Sequence, residues 1–177
     1  MTYSLKLDKI VKIGVINMST GKKHKTISVV LIIISVLIVT FIFSQSLLPG
    51  KVSGEESGRV LKFLNDILAS IGMPPFLTHS FVRTAAHFSE FAALGTSLFF
   101  TTISFGKKCL YSALVSLSSS LFVACTDECI QLFSEGRAFQ LSDILTDFLG
   151  AFLAVFLLYS LFYIISFIKR KRSDLNE

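Results

Sequence analysis

Charged residues are scarce in this chain, and their scarcity excludes most soluble folds. Only 16% of the 177 residues are Asp, Glu, Lys or Arg, whereas 52% are hydrophobic. A soluble domain of ordinary composition carries charge on about a quarter of its residues. The mean hydropathy of +0.69 therefore indicates a membrane protein.

Cysteine is also rare, with Cys109, Cys125 and Cys129 as its three occurrences. Their spacing matches neither a zinc finger nor a thioredoxin motif, and we expect no disulfide framework. Because free cysteines are usually buried and inert, we interpret these three as small packing residues.

The sequence also lacks G-x-S-x-G and H-E-x-x-H motifs, so no standard nucleophile or zinc motif supports a hydrolase. The net charge of +5 does not indicate nucleic acid either. The basic residues cluster at the two ends of the chain and at Lys107 and Lys108, which is the positive-inside pattern of a membrane protein. The partners we expect are membrane lipids and not nucleic acid.

Four hydrophobic segments are each near the roughly 20 residues that cross a bilayer. They cover about residues 27–48, 81–105, 109–133 and 142–168. The sequence therefore predicts an all-α, polytopic protein of the cell membrane with about four transmembrane helices. The transmembrane domain is residues 27–168, between a basic segment, 1–26, and a basic tail, 169–177. Both termini should be cytoplasmic, because lysine and arginine accumulate on that side.

The first extracytoplasmic loop, residues 49–80, is long for a segment without structure. Ser53 and Glu56 have the spacing of a capping box, and apolar residues then recur at helical intervals. Gly72 and the following prolines should stop the helix. We predict an amphipathic helix over about residues 55–71, lying on the outer surface either as a connector or as a lid over a site.

Strongly polar side chains fall at the outer ends of the four predicted spans. Such groups are costly in a membrane and mark functional sites by default, and should face the bundle interior. The candidate site residues are Ser44, Gln45, Arg83, His87, Glu90, Asp127, Glu128, Gln131, Arg137, Asp143 and Asp147. We expect the two arginines to be counter-ions for the acidic residues of the third and fourth spans.

Three glycines accompany these groups. Gly136 precedes Arg137 and predicts a turn, since glycine adopts positive φ at low cost. Gly95 and Gly150 lie inside predicted spans, where small residues let helices approach closely.

One imidazole among several carboxylates can perform acid–base chemistry, coordinate a divalent metal or relay protons. A buried ion-pair network that only fixes helix packing is the alternative, since buried ion pairs are weak evidence of function. The pattern specifies neither a particular metal or cofactor nor an oligomeric state.

At these residues the chain resembles the VanZ-like family of bacterial membrane proteins. The resemblance rests on His87-Phe88 with Glu90-Phe91, the D-E-x-x-Q-x-F run from Asp127 to Phe133, Gly136-Arg137, Ser142-Asp143, Asp147 and Gly150. It covers about residues 41–156 and includes the S-Q-S triplet at 44–46. The chain departs from the family pattern at Asp147, where Asn is common, and at Arg83, which lies four residues before the histidine.

The resemblance implies a cell-envelope role linked to reduced susceptibility to glycopeptide antibiotics, teicoplanin in particular. The functional positions that it carries over are His87, Asp127, Glu128, Gln131, Arg137, Asp143 and Asp147. Within the polar site, the candidate catalytic residues are His87, Asp127, Glu128, Arg137 and Asp143. Residues that would contact a ligand are Ser44, Gln45, Arg83, Glu90, Gln131 and Asp147. The expected ligand is a lipid-linked envelope precursor or a lipophilic glycopeptide. A membrane hydrolase or transferase acting on a lipid-linked substrate is an alternative, and a small proton-coupled transporter is another.

Overall fold

A computed structural model describes residues 22–174, and five helices account for its regular structure. In chain order they are α1 (Lys22–Ser46), α2 (Gly50–Ser70), α3 (His79–Ser104), α4 (Cys109–Gln131) and α5 (Leu141–Asp174). The predicted basic segment 1–26 lies largely outside the described residues. The predicted tail, in contrast, continues α5 as far as Asp174.

Three of these helices are long and apolar enough to cross a membrane: Lys25–Ser46, Cys109–Gln131 and Leu141–Lys169. Only 17% of the apolar window of the first and 11% of that of the third is buried inside the protein. Exposed apolar surface of this extent marks a membrane or protein contact. The all-α prediction is therefore confirmed, together with three helices of membrane-spanning character.

The fourth expected span, residues 81–105, coincides with α3, which is long enough but is not among the helices apolar enough to cross a membrane. The reason lies in its position, because α3 packs against each of the other four helices. Arg83, His87 and Glu90 occupy its first half and face its neighbours in part. Phe91, Leu94 and Phe99 fill its second half and form the centre of the apolar core.

Two close approaches fix the spacing of the bundle. A Cβ atom on Gly150 would lie 2.2 Å from the carbonyl oxygen of Phe88, and one on Gly95 would lie 3.1 Å from the Cα of Ala151. The packing role expected for both glycines is confirmed, and together they hold α3 directly against α5.

α2 begins earlier than the sequence predicts, at Gly50 instead of near residue 55, so the capping-box prediction is wrong. Ser53 lies inside the first turn and its backbone N–H donates to the carbonyl of Pro49, the N-cap residue. The start is set instead by Gly50, whose N–H donates to the Glu135 carbonyl at 2.9 Å. The helix ends as expected, before Gly72 at φ +78°.

Candidate functional site

The helix ends that carry the polar residues meet at one end of the bundle. Ser46 ends α1, and its hydroxyl donates to Asp127 Oδ1 on α4 at 2.5 Å. The amide of Gln131, one turn further along α4, donates to Asp127 Oδ2 at 3.0 Å. Both oxygens of this fully buried carboxylate are therefore held by neutral donors. Asp127 is fixed in orientation by two helices.

Glu128 is equally buried but is held differently. Its Oε2 accepts a hydrogen bond from the backbone N–H of Gln140 at 2.8 Å, in the residue just before α5. Its Oε1 lies buried without a hydrogen-bond partner among the described residues. Among the described residues neither carboxylate forms an ion pair with an arginine, so the expected counter-ion role of the arginines is wrong for these two acidic residues of the third span. Neutral donors hold both, and the arginines pair elsewhere, with Asp143 and with the Gln45 carbonyl.

Arg83 and Arg137 have separate roles. Arg83 Nη2 lies 3.5 Å from Asp143 Oδ2 in a partly exposed ion pair, as the sequence predicts for a counter-ion. Arg137 Nη2 instead donates to the backbone carbonyl of Gln45 at 3.1 Å. Its Nε is buried and has no partner among the described residues.

The short connection between α4 and α5 positions Arg137. Gly136 has φ +75°, which confirms the predicted turn. Ser134 donates to the backbone carbonyl of Ser46 at 2.6 Å and ties the connection to α1. Burial lowers the pKa of the Arg137 guanidinium from its ordinary value. An arginine nevertheless keeps its charge in proteins, so the site retains a fixed cation here.

His87 and Asp147 form the innermost pair, on α3 and α5. His87 Nδ1 lies 3.7 Å from Asp147 Oδ1, and Asp147 is 0% exposed. Neither Asp147 oxygen has a hydrogen-bond partner among the described residues. One ligand atom from each of His87, Asp127 and Asp147 lies within 4.8 Å of the other two. These are the residues that could hold a metal ion.

A cavity and an adjoining groove lie beside this cluster. The cavity of about 380 Å³ lies between α2 and α3, and the largely apolar groove of about 440 Å³ lies between α1 and α3. Ser89 and Glu90 line both. The polar wall of the cavity consists of Gln45, Ser53, Glu56, Ser57, Arg83, His87, Ser89, Glu90 and Arg137.

Most of the residues singled out in the sequence converge here, and Ser44 is the exception. Ser44 is exposed, and its hydroxyl donates to the Phe41 carbonyl of its own helix. Ser46, which was not among the predicted site residues, makes the contact with Asp127 instead. The S-Q-S triplet in the sequence indicated that Ser46 could belong to the site. It does not show which of its two serines faces the bundle, because that depends on how the helix is rotated.

The cysteines are the clearest error of the sequence interpretation. All three are free, and Cys125 and Cys129 are exposed, so neither packs inside the bundle. They lie on the outer face of α4, while Ala124, Asp127 and Glu128 turn inward. Since residues at i and i+4 share a helical face, the two cysteines occupy one side together.

A helical bundle with three helices long and apolar enough to cross a membrane, and with a buried polar cluster at one end, has the architecture of a membrane protein. The family model VanZ/LLP1 matches residues 28–165, which cover most of the chain and every residue of the cluster. The chain therefore belongs to the VanZ/LLP1 family, and the resemblance noted in the sequence is confirmed. No curated protein and no solved structure matches it significantly.

Proposed function

We propose that this chain is a four-span envelope protein whose polar site faces the outside of the cell. It would bind, or act on, a lipid-linked envelope component or a lipophilic glycopeptide such as teicoplanin. In this topology both termini are cytoplasmic and α3 is the fourth membrane-crossing helix. α2 then lies at the outer surface as one wall of the cavity, and the Lys107–Lys108 turn faces the cytoplasm.

The observation that carries the proposal is the junction of the cavity, which has a polar wall, with the apolar groove. A ligand with a polar head and a long hydrocarbon chain needs both environments side by side. Ile34, Leu37, Ile38 and Phe41 of α1 line the groove, which meets the cavity at Ser89 and Glu90. Hydrocarbon placed in the groove would therefore present its head group to the cavity.

The charges of the cavity favour a particular kind of head group. Arg83 and Arg137 supply donors that match phosphate oxygens. The buried Nε–H of Arg137 is a donor without an acceptor among the described residues. Glu56 and Glu90 supply acceptors on the same wall, and carboxylates accept hydrogen bonds from sugar hydroxyls. A sugar phosphate on a lipid carrier satisfies both requirements.

Antibiotic susceptibility tests the envelope role. Teicoplanin and vancomycin would be compared in a host that expresses either wild type or Glu128→Ala at equal membrane levels. We expect protection against teicoplanin that is lost in the variant, with Glu128→Gln as a second variant that keeps the side-chain volume. Equal susceptibility with and without the wild-type protein would remove the resistance role from this chain.

A membrane hydrolase or transferase is a second candidate, favoured by the closeness of His87 to Asp147. An imidazole beside a buried carboxylate is an arrangement that supports a general base. This candidate predicts turnover of a lipid-linked substrate in detergent that His87→Ala abolishes. Binding of the substrate without turnover by the wild type would exclude it.

A further inference from the structure

The three-helix junction of His87, Asp127 and Asp147 has the features of a cation site. The side chains come from α3, α4 and α5, so no single helix could hold them in this arrangement. Asp127 and Asp147 are each 0% exposed. Two carboxylates this close repel each other when both are ionised, and burial strengthens the repulsion. A cation between them removes that repulsion.

Asp147 is the observation that points to a ligand. It is completely buried, yet both of its oxygens lack a hydrogen-bond partner among the described residues. Its Oδ1 is directed at His87, whose Nδ1 is also buried and without a hydrogen-bond partner there. Buried polar atoms are satisfied in most native structures, so three unsatisfied atoms on two neighbouring side chains require an explanation.

The spacing of the ligand atoms agrees with coordination. A tetrahedral ion about 2.1 Å from each ligand places neighbouring ligand atoms about 3.4 Å apart. His87 Nδ1 and Asp147 Oδ1 are 3.7 Å apart, and the three ligand atoms lie within 4.8 Å of one another. Side-chain shifts of about 1 Å would complete the geometry.

The surroundings of Asp127 also resemble those of a metal ligand. The Ser46 hydroxyl and the Gln131 amide each hold one of its oxygens. Ligating carboxylates are commonly fixed in this way by outer-shell hydrogen bonds. We propose that His87, Asp127 and Asp147 bind one divalent transition cation, such as Mn²⁺ or Zn²⁺, beside the cavity that His87 lines.

The donor set narrows the class of cation. Imidazole favours transition metals and carboxylates are hard oxygen donors, so the mixed set suits Mn²⁺, Fe²⁺ and Zn²⁺ better than Mg²⁺ or Ca²⁺. Three protein ligands leave a coordination position free for water or for a ligand. His87 also lines the cavity, so the proposed ion would lie beside it. The cation site goes beyond the proposed function and does not depend on the identity of the envelope component.

Mn²⁺ binding to the full chain in detergent tests the site, with a purification tag that contains no histidine. Mn²⁺ is the probe because it avoids thiolates, which removes interference from the exposed Cys125 and Cys129. After chelation and dialysis, electron paramagnetic resonance and elemental analysis would give affinity and stoichiometry. We expect one equivalent of Mn²⁺ that Zn²⁺ displaces.

The variants distinguish coordination of the Mn²⁺ ion by ligand atoms from its attraction by nearby negative charge. Asp147→Asn and His87→Gln should each weaken binding by about 100-fold or more, since even an outer-shell loss costs about 10–100-fold. Asp143→Asn is the matched control, because it removes the same charge one turn away from Asp147 on the same helix, outside the three ligands. It should weaken Mn²⁺ binding far less than Asp147→Asn does, because Asp143 adds negative charge near the site but no ligand atom.

Two results would overturn the site. The first is a wild-type protein that binds no stoichiometric Mn²⁺ or Zn²⁺, and the second is equal loss in Asp147→Asn and Asp143→Asn. If Asp147→Asn does not fold, His87→Gln compared with Asp143→Asn gives the same test of coordination. Mn²⁺ binding without lipid binding would support the cation site and remove the proposed function. Lipid binding without Mn²⁺ binding would support the proposed function and remove the cation site.

Discussion

Replacing Gly150 with alanine should force α3 and α5 apart at the level of the polar cluster. The added Cβ would lie 2.2 Å from the Phe88 carbonyl oxygen, whereas ordinary contact begins near 3.4 Å, so one backbone must retreat by about 1 Å. Overpacking costs about 1–3 kcal/mol, and a backbone obstacle belongs at the upper end. The gain in helix propensity of about 1 kcal/mol offsets only part of that cost.

The matched control is Gly54→Ala on α2, where an added Cβ meets nothing within 4 Å. A net loss of about 2 kcal/mol corresponds to a melting temperature about 4–8 °C lower for a chain of this length. The control keeps the gain in helix propensity and should melt about 1–4 °C higher than wild type. Thermal unfolding of both variants in the same detergent makes the comparison. Equal melting temperatures would refute the close approach of α3 to α5.

Further variants test individual contacts. Ser46→Ala removes a buried hydrogen bond to a carboxylate and should cost about 1–3 kcal/mol in thermal unfolding. Ser44→Ala should cost almost nothing, and equal losses would contradict the assignment. Arg83→Gln breaks only a partly exposed ion pair worth at most about 1 kcal/mol, so it should leave the melting temperature nearly unchanged while weakening phosphate-lipid binding. Membrane topology is tested in a variant whose native cysteines are replaced by serine. In intact cells, an impermeant maleimide should label the further substitution Asp66→Cys. A cysteine at Lys107 should react only after permeabilisation, and the opposite pattern would invert the proposed orientation.

The sequence predicted the helices and the end of the bundle where the polar residues meet, because both depend on the order of apolar and polar residues along the chain. It could not identify Ser46 as the partner of Asp127, since that contact joins residues 81 positions apart and depends on helix rotation. For the same reason it placed Cys125 and Cys129 inside when they face outward. Helix periodicity says which residues share a face, but tertiary packing decides which face is buried.

The arginines show a second limit of sequence reasoning. Charge complementarity in the sequence predicted an ion pair between Arg83 and an acidic residue, and the structure contains that pair with Asp143. Arg137 instead donates to a backbone carbonyl, which sequence patterns do not reveal because every residue carries that acceptor. The cavity between α2 and α3 was also beyond prediction, since it depends on Gly50 docking against the carbonyl groups of the α4–α5 connection.

Binding of a polyprenyl phosphate to the purified protein in nanodiscs tests the proposed ligand site most directly. The comparison is between wild type, Arg137→Gln inside the cavity and Arg59→Gln on α2 outside its lining. A charged hydrogen bond contributes about 1.5–3 kcal/mol, so Arg137→Gln should weaken binding about tenfold or more while Arg59→Gln leaves it unchanged. Saturable wild-type binding with this pattern is the predicted result. Absence of saturable binding, or equal affinities for the two variants, would contradict the proposed site.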